Sequence, residues 1–324
     1  MMQQGGKQFI VVSDQPGDLC PEAMEVLNSF AEVFIPESYD QTELKKLIAK
    51  ADGIITWGNT KLTAELLACG SHRLRVISVT GIGYDNVDVP AATARGIKVC
   101  NTPGANAYAV AEYALAMIIN TARNILPAAE VIKRKEWALA EEFTGTELRS
   151  KTVGIVALGN TGLSLAKLLQ VFGCQVLGYD PYVSAERAQE AGVKLVSLEE
   201  LCSHSDVISV HAPLTESTYH MLGPELLPKV KKGAWIINCG RAPVVDEDYL
   251  VNLLQSGQIA GYVTDVFPTE PPDLSRPLYS LDNVIVTPHI AAMTDVALIK
   301  MQVYAAENIK AILLGGKPHN VVNP

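Results

Sequence analysis

Three side chains far apart in the sequence carry complementary chemistry: Arg241, Glu270 and His289. An arginine offers a rigid fork of donors that suits a carboxylate or a carbonyl to be polarised. A histidine exchanges protons near neutrality, because its ordinary pKa is about 6.5. A glutamate beside it orients the ring and favours the charged form. Each of the three follows an apolar stretch: 233–238 before Arg241, 258–266 before Glu270, and 284–287 before His289. These stretches read as buried strands. If they are parallel neighbours, all three side chains emerge at one edge of one sheet, where ligands bind in such folds. Each also has a plain structural reading. Arg241 could pair with Asp246 or Asp265, Glu270 could be solvated in its proline-rich loop, and a lone histidine after a strand is often structural.

The elements that would position them centre on residues 152–180, TVGIVALGNTGLSLAKLLQVFGCQVLGYD. An apolar run leads into Gly159-Asn160-Thr161-Gly162, then a helical pattern, then a second apolar run ending on Asp180. This strand–turn–helix–strand order, with an acid about 20 residues after the turn, reads as a dinucleotide fingerprint. Gly159 lets backbone approach a pyrophosphate, and the helix start aims N–H groups and dipole at its charge. Asp180 can accept from a ribose 2′-hydroxyl and would repel a 2′-phosphate. Pro181 and Tyr182 supply no cation, so the reading favours NAD over NADP. The first fingerprint glycine is replaced by Ala157, and a tight turn in another α/β protein is the bland alternative. With a nicotinamide at the strand ends, the three side chains suit one reaction. A 2-hydroxy acid would lose hydride to the ring and a proton to His289, with Glu270 orienting the imidazole and Arg241 on the substrate carboxylate.

Strand and helix patterns also alternate over residues 1 to about 100, which implies a second parallel sheet. The expected fold class is α/β with two Rossmann-like or flavodoxin-like parallel sheets. Two loops follow strands in the first part, Trp57-Gly58-Asn59-Thr60 and Gly81-Ile82-Gly83-Tyr84-Asp85-Asn86. Backbone N–H groups at Gly81 to Gly83 could take a small anion; two ordinary turns is the competing reading. A long helix is expected from about Asn106, apolar nearly all round and therefore buried in the core or against a partner chain. A second helix is expected from Pro127, and 141–150 reads as a linker.

Composition removes several classes. The net charge of −9 argues against a nucleic-acid surface, and the Lys133-Arg134-Lys135 cluster lies between acids. The six cysteines form no paired motif, which suits a reducing cytoplasm. His204, His211 and His220 lack metal spacing, so no metal is expected. His211 follows a strand and is placed in the cofactor cleft. The longest strongly apolar stretch, 107–119, is too short for a bilayer, and the polar start does not resemble a signal peptide.

At these residues the chain resembles the D-isomer-specific 2-hydroxyacid dehydrogenases. The resemblance rests on TGIGYDNVD (80–88), NTPGANAYAVAE (101–112), the fingerprint, HAPLTEST (211–218), INCGRAPVVDEDYL (237–250), DVFPTEP (265–271) and TPHIAAMT (287–294). It implies that the family's catalytic arginine, glutamate and histidine are Arg241, Glu270 and His289. It implies Asp180 on the adenosine ribose, Asp265 on the nicotinamide carboxamide, and further cofactor contacts from His211, Ala212, Pro213, Cys239, Gly240 and Ala291. Trp57, Gly58, Gly81, Ile82 and Gly83 would face substrate. The implied organisation is a substrate domain of 1–101 plus 296–324 around an NAD domain of 102–295, dimerising through the helix near Asn106. Ala291 and Ala292 replace a common glycine pair. Trp57 stands where phosphoglycerate-specific relatives carry an arginine, which argues against a phosphorylated acid. The chain ends just after its closing helix, so no serine-sensing domain is expected. A rival reading keeps the fold as a catalytically silent, NAD(H)-sensing interaction protein.

Overall fold

Short β-branched runs separated by amphipathic helices build two parallel sheets in this computed structural model, which describes residues 7–14 and 18–323. Contacts divide the chain into one unit of Met1–Asn106 with Met293–Pro324 and another of Ala107–Ala292.

In the first unit, β1 (Gln8–Val12), β2 (Ala31–Phe34), β3 (Gly53–Thr56), β4 (Val76–Val79) and β5 (Lys98–Cys100) pair in the order β2-β1-β3-β4-β5. β3 and β4 are buried along their whole length, as strands covered on both faces must be. Helices α1 (Pro21–Asn28) and α11 (Asp295–Leu314) cover one face through Leu27, Ile309 and Leu313. Helices α2 (Gln41–Ile48), α3 (Ala64–Ala68) and α4 (Val89–Ala94) cover the other through Leu44, Leu66 and Ala92. Neither α4 nor β5 was expected. β5 is three residues long, too short to show a period, and α4 starts from an Asp88 cap on Ala91 N.

In the second unit, α5 (Ala107–Arg123) and α6 (Ile125–Lys133) precede the fingerprint elements β6 (Thr152–Val156), α7 (Asn160–Val171) and β7 (Gln175–Tyr179). Then come α8 (Ala185–Glu190), β8 (Lys194–Leu195), α9 (Leu198–His204), β9 (Val207–Val210), β10 (Ala234–Asn238), α10 (Glu247–Gln255), β11 (Ile259–Thr264) and β12 (Val284–Val286). The sheet order is β12-β11-β10-β9-β6-β7-β8, all parallel. On one face α5 packs on α7, with Ala111, Ala114 and Ile118 in one cluster with Leu165, Ala166 and Leu169. The opposite face holds Leu201, Ile208, Leu250 and Leu254.

The unit boundaries fall at 106/107 and 292/293, where 101/102 and 295/296 were expected. Residues 101–105 belong to the first unit by their bonds: Asn308 donates to Asn101 O and Thr102 N to Gly81 O. The stretch read as a linker contains two short 3-10 turns, Ala140–Phe143 and Leu148–Ser150, with Leu148 buried. Helix α6 starts two residues before the expected Pro127, which its first turn accommodates without losing a bond. No single helix among the described residues is long and apolar enough to cross a membrane; α5 and α6 pass that test only together, across a 70° bend.

Candidate active site

The three chemically complementary residues follow three adjacent strands, β10, β11 and β12. His289 Nδ1 lies 2.8 Å from Glu270 Oε1, and both side chains are partly exposed and reachable. With Nδ1–H donated to the carboxylate, Nε2 is the ring nitrogen outside that bond. Burial opposes ionisation of Glu270 most strongly, yet the His289 hydrogen bond, the His289 charge and the Arg241 guanidinium together hold its carboxyl below the usual range. Arg241 is half-buried, and its Nη1 donates to Gly240 O at 2.9 Å. Of its expected partners, Asp246 caps α10 through Tyr249 N and lies 3.4 Å from His220 Nδ1.

His289 sits at φ +56°, in the left-handed region that costs a non-glycine residue energy. The surrounding bonds explain why it stays there. Its own N–H donates to Thr287 O at 2.9 Å. The next two N–H groups, of Ile290 and Ala291, donate to the buried Asp265 carboxylate at 2.8 and 2.7 Å. Thr287 Oγ1 donates to the same carboxylate at 2.6 Å, and Tyr113 of α5 lies 2.6 Å from that oxygen. Thr287 has one hydroxyl proton and Asp265 can only accept, so Tyr113 must be the donor. Asp265, expected on a carboxamide, therefore also clamps the histidine loop.

The β6–α7 turn was expected to cradle a dinucleotide, and its residues fit one. No side chain caps α7, which leaves its first N–H groups for a ligand. A Cβ built on Gly159 would meet nothing within 4 Å, so the turn is open at the point of approach. A Cβ on Gly162 would collide with the Ala157 carbonyl, which fixes the close helix–strand packing. Ala157 itself adopts φ +72°. Asp180 accepts from Leu158 N at 2.7 Å, Tyr182 N at 2.7 Å and Val183 N at 3.1 Å. A carboxylate has about four acceptor positions, so room for a ribose hydroxyl remains.

At the neighbouring strand end, burial pushes the His211 pKa down to about 4, so the ring is neutral. Its Nε2 lies 2.9 Å from Ser209 Oγ, and its enclosed Nδ1 has no partner among the described residues. Pro213 O accepts from Thr218 Oγ1 at 2.6 Å. Gly240 presses on the buried Ala212, whose carbonyl would be 2.6 Å from an added Cβ. Burial pushes the Cys239 thiol up, so it is no thiolate. Among the described residues no group of three His, Cys, Asp or Glu could hold a metal ion.

The first-unit loops differ from expectation in one respect. Trp57 N and Gly58 N are already spent on Asp14, at 2.7 and 3.0 Å. The same carboxylate, 2% exposed, accepts from Thr60 N at 2.9 Å and Thr56 Oγ1 at 2.9 Å. Asn86 Nδ2 ties the two loops by donating to Thr60 O at 3.0 Å and Thr56 Oγ1 at 3.2 Å. What Trp57 retains is its side chain, with Nε1 enclosed and without a partner among the described residues. At Gly81 and Ile82 the carbonyls accept from Thr102 N and Asn101 Nδ2, which turns the loop and leaves the N–H groups of Gly81, Ile82 and Gly83 without partners among the described residues.

Residues 115–291 match the model of the D-isomer specific 2-hydroxyacid dehydrogenase, NAD binding domain. The chain belongs to the D-isomer-specific 2-hydroxyacid dehydrogenase family. Its second unit is the family's NAD-binding domain. A D-3-phosphoglycerate dehydrogenase of Methanocaldococcus jannaschii is 40% identical over 315 residues, which cover 97% of this chain and 59% of that protein. The chain thus spans little more than half the length of the curated relatives it matches. Among solved structures, the TT0316 protein of Thermus thermophilus aligns with a TM-score of 0.85 at 32% identity, covering 97% of this chain and 100% of that one. A D-lactate dehydrogenase of Aquifex aeolicus, complexed with NAD and lactic acid, aligns with a TM-score of 0.82 at 30% identity, covering 95% and 96%.

Within this dehydrogenase-family frame, sequence reasoning missed Asp14, Asn86, Tyr113, Asn238 and Tyr262. Asp14 and Asn238 carried a usable signal. Asp14 follows the apolar β1 by two residues and Asn238 ends the apolar β10, positions where a buried acceptor is needed to tie down the next turn.

Proposed function

We propose that this chain is an NAD-dependent oxidoreductase that moves a hydride between nicotinamide and a small D-2-hydroxy acid or its 2-oxo acid. The observation that carries the reading is the 2.8 Å His289–Glu270 bond, made past the ends of β12 and β11, the next two strands in the sheet beyond β10, which presents Arg241. NAD, when bound, supplies the hydride acceptor and donor. His289 Nε2 takes the hydroxyl proton during oxidation and returns it during reduction. Its Nδ1–H stays on Glu270, whose carboxylate offsets the imidazolium charge. Arg241 binds the substrate carboxylate and polarises the 2-oxo oxygen. The open N–H groups of Gly81 to Gly83 suit the same anionic class of substrate.

We assign an unphosphorylated acid as substrate, because Trp57 cannot pair with a phosphate dianion. We also propose a homodimer. α6 has no buried residue although it is largely apolar, and Tyr108, Ile132, Trp137 and Leu139 are exposed with it. Exposed apolar side chains along this helix and just after it suit burial against a second copy of the chain. Sedimentation equilibrium of wild type and Ile132→Glu tests this: a monomeric wild type sinks it. Six free cysteines are in keeping with the reducing compartment proposed for the chain.

The deciding experiment is an NADH-oxidation panel of hydroxypyruvate, glyoxylate, pyruvate, longer 2-oxo acids and 3-phosphohydroxypyruvate. We expect turnover of at least one unphosphorylated acid. His289→Gln should lose about 10²- to 10⁴-fold in kcat while NADH still binds. Complete inactivity with tight NADH binding would point to the NAD-sensing interaction protein. Fastest turnover of the phosphorylated acid would overturn the Trp57 argument.

A further inference from the structure

We propose that Tyr262, acting with Asn238 and Glu247, is a positioning residue for Arg241. The inference rests on the reading of Arg241 as the substrate-carboxylate ligand. Tyr262 lies within β11 and is fully buried, as is Asn238 at the end of β10; Glu247 at the start of α10 is 4% exposed. A phenol in the apolar cluster of Ile208, Ile236, Leu250 and Leu254 is costly unless its hydroxyl is satisfied. A phenylalanine would fill the same space at no such cost, so the hydroxyl needs its own reason.

The bonds around it run in one direction. Arg276 Nη1 donates to Glu247 Oε2 at 2.7 Å, which favours the carboxylate. Tyr262 Oη donates to Glu247 Oε1 at 3.2 Å. With its only proton turned that way, Oη presents a lone pair to Asn238 Nδ2, which donates at 3.2 Å. The second Nδ2 proton goes to Arg241 O at 3.1 Å, and Asn238 Oδ1 accepts from Gly240 N at 3.0 Å. One amide therefore clasps the backbone on both sides of the Gly240–Arg241 peptide. A flipped amide would set donor against donor at Gly240 and acceptor against acceptor at Arg241. The lone pair that Tyr262 presents to Nδ2 calls for the same orientation as the two backbone groups, so the hydroxyl holds the amide in the one pose that satisfies every group. The chain of bonds begins at the surface-facing Arg276 and ends on the backbone from which the Arg241 guanidinium projects. Fixing that backbone fixes where the guanidinium starts, and a small displacement there is felt in substrate binding.

The test compares wild type with Tyr262→Phe, which keeps the ring and removes the hydroxyl. We expect KM for the best 2-oxo acid of the panel to rise about tenfold. We expect kcat to fall with it, because Arg241 also polarises the 2-oxo oxygen, while the NADH dissociation constant stays within about twofold of wild type. A crystal structure of the variant should show the Gly240–Arg241 turn displaced. Wild-type KM, or parallel losses of NADH affinity and thermal midpoint, would overturn the proposal. If Tyr262→Phe does not fold, Asn238→Ser takes its place, since a serine hydroxyl cannot reach Gly240 N, Arg241 O and Tyr262 Oη together. If wild type reduces no 2-oxo acid, the dehydrogenase reading fails by itself. The variant's crystal structure then decides the clasp: an unmoved turn sinks it and a displaced turn upholds it.

Discussion

Each sheet reverses its strand order once, between β1 and β3 in the first unit and between β6 and β9 in the second. In open α/β sheets the crevice beyond such a reversal is where ligands bind. Here the two crevices are furnished in opposite ways. Beyond β1 and β3, the Asp14 carboxylate accepts from Trp57 N, Gly58 N, Thr60 N and Thr56 Oγ1. The protein's own anion occupies the place a ligand anion could take. Beyond β6 and β9, a Cβ added to Gly159 would meet nothing within 4 Å, and among the described residues no side chain caps α7 and none partners His211 Nδ1. One crevice is a brace and the other is a receptor. The same comparison gives a reason for placing the proposed anion binding of the first unit at the next loop, Gly81 to Gly83, whose N–H groups remain unspent among the described residues.

The strongest way to break this contrast is to empty the first crevice. Asp14→Ala takes the acceptor from Trp57 N, Thr60 N and Thr56 Oγ1, while Gly58 N keeps Thr56 Oγ1 at 3.2 Å, and each buried unsatisfied group costs about 1–3 kcal/mol. Even with partial rescue by water, the variant should lose about 3 kcal/mol or more of stability. Denaturant unfolding without cofactor measures this. An unfolding midpoint equal to wild type would show that Asp14 is no brace.

The second crevice should reveal itself through pH. His211 has a folded-state pKa of about 4 against an ordinary 6.5. Below pH 6.5 the unfolded chain gains a proton that the folded ring refuses. Stability is therefore complete above that value and is lost as pH falls towards 4. The full loss is about 3 kcal/mol, at about 1.4 kcal/mol per unit. His211→Gln should flatten this dependence between pH 7 and pH 4.5 in cofactor-free protein. A wild-type slope in the variant would place the effect elsewhere.

Much of this architecture was legible in the sequence because its strands are short apolar runs punctuated by glycine and proline. β3 is found over the residues expected, and Thr63, Asp246 and Thr294 stand as caps where their helices begin. The residues that failed to announce themselves are those whose partners are remote. Tyr113 reads as one more residue of an apolar helix until Thr287 is found beside it. Tyr262 reads as a strand aromatic until Asn238 and Glu247 are seen around its hydroxyl. Periodicity reports which face is buried, and it is silent on which buried atom needs a partner. Element β8 escaped for a simpler reason: two residues are too few to carry a period.

The finest test of the receptor crevice exchanges glycine and alanine at two nearby positions of its turn. Gly159 has φ −69°, so an added Cβ is neither strained nor crowded. Gly159→Ala should leave unfolding of the free protein nearly unchanged. It should weaken NADH about tenfold, because the methyl enters the space a pyrophosphate needs. Ala157 is the reverse case. Its φ of +72° costs about 1–2 kcal/mol relative to an ordinary backbone, while a glycine there loses about 0.5–1 kcal/mol more entropy on folding. Ala157→Gly should therefore gain only about 0.5 kcal/mol, read as a small rise in the unfolding midpoint. His289 shares the left-handed backbone but not the remedy, since a glycine there removes the imidazole. Strain at Ala157 can be relieved without touching the proposed chemistry; strain at His289 is held in place by the bonds of Ile290 and Ala291 to Asp265, and the role proposed for the imidazole needs that side chain where it is. A fall in stability for Ala157→Gly would mean that the turn, like the histidine loop, is over-determined by its surroundings.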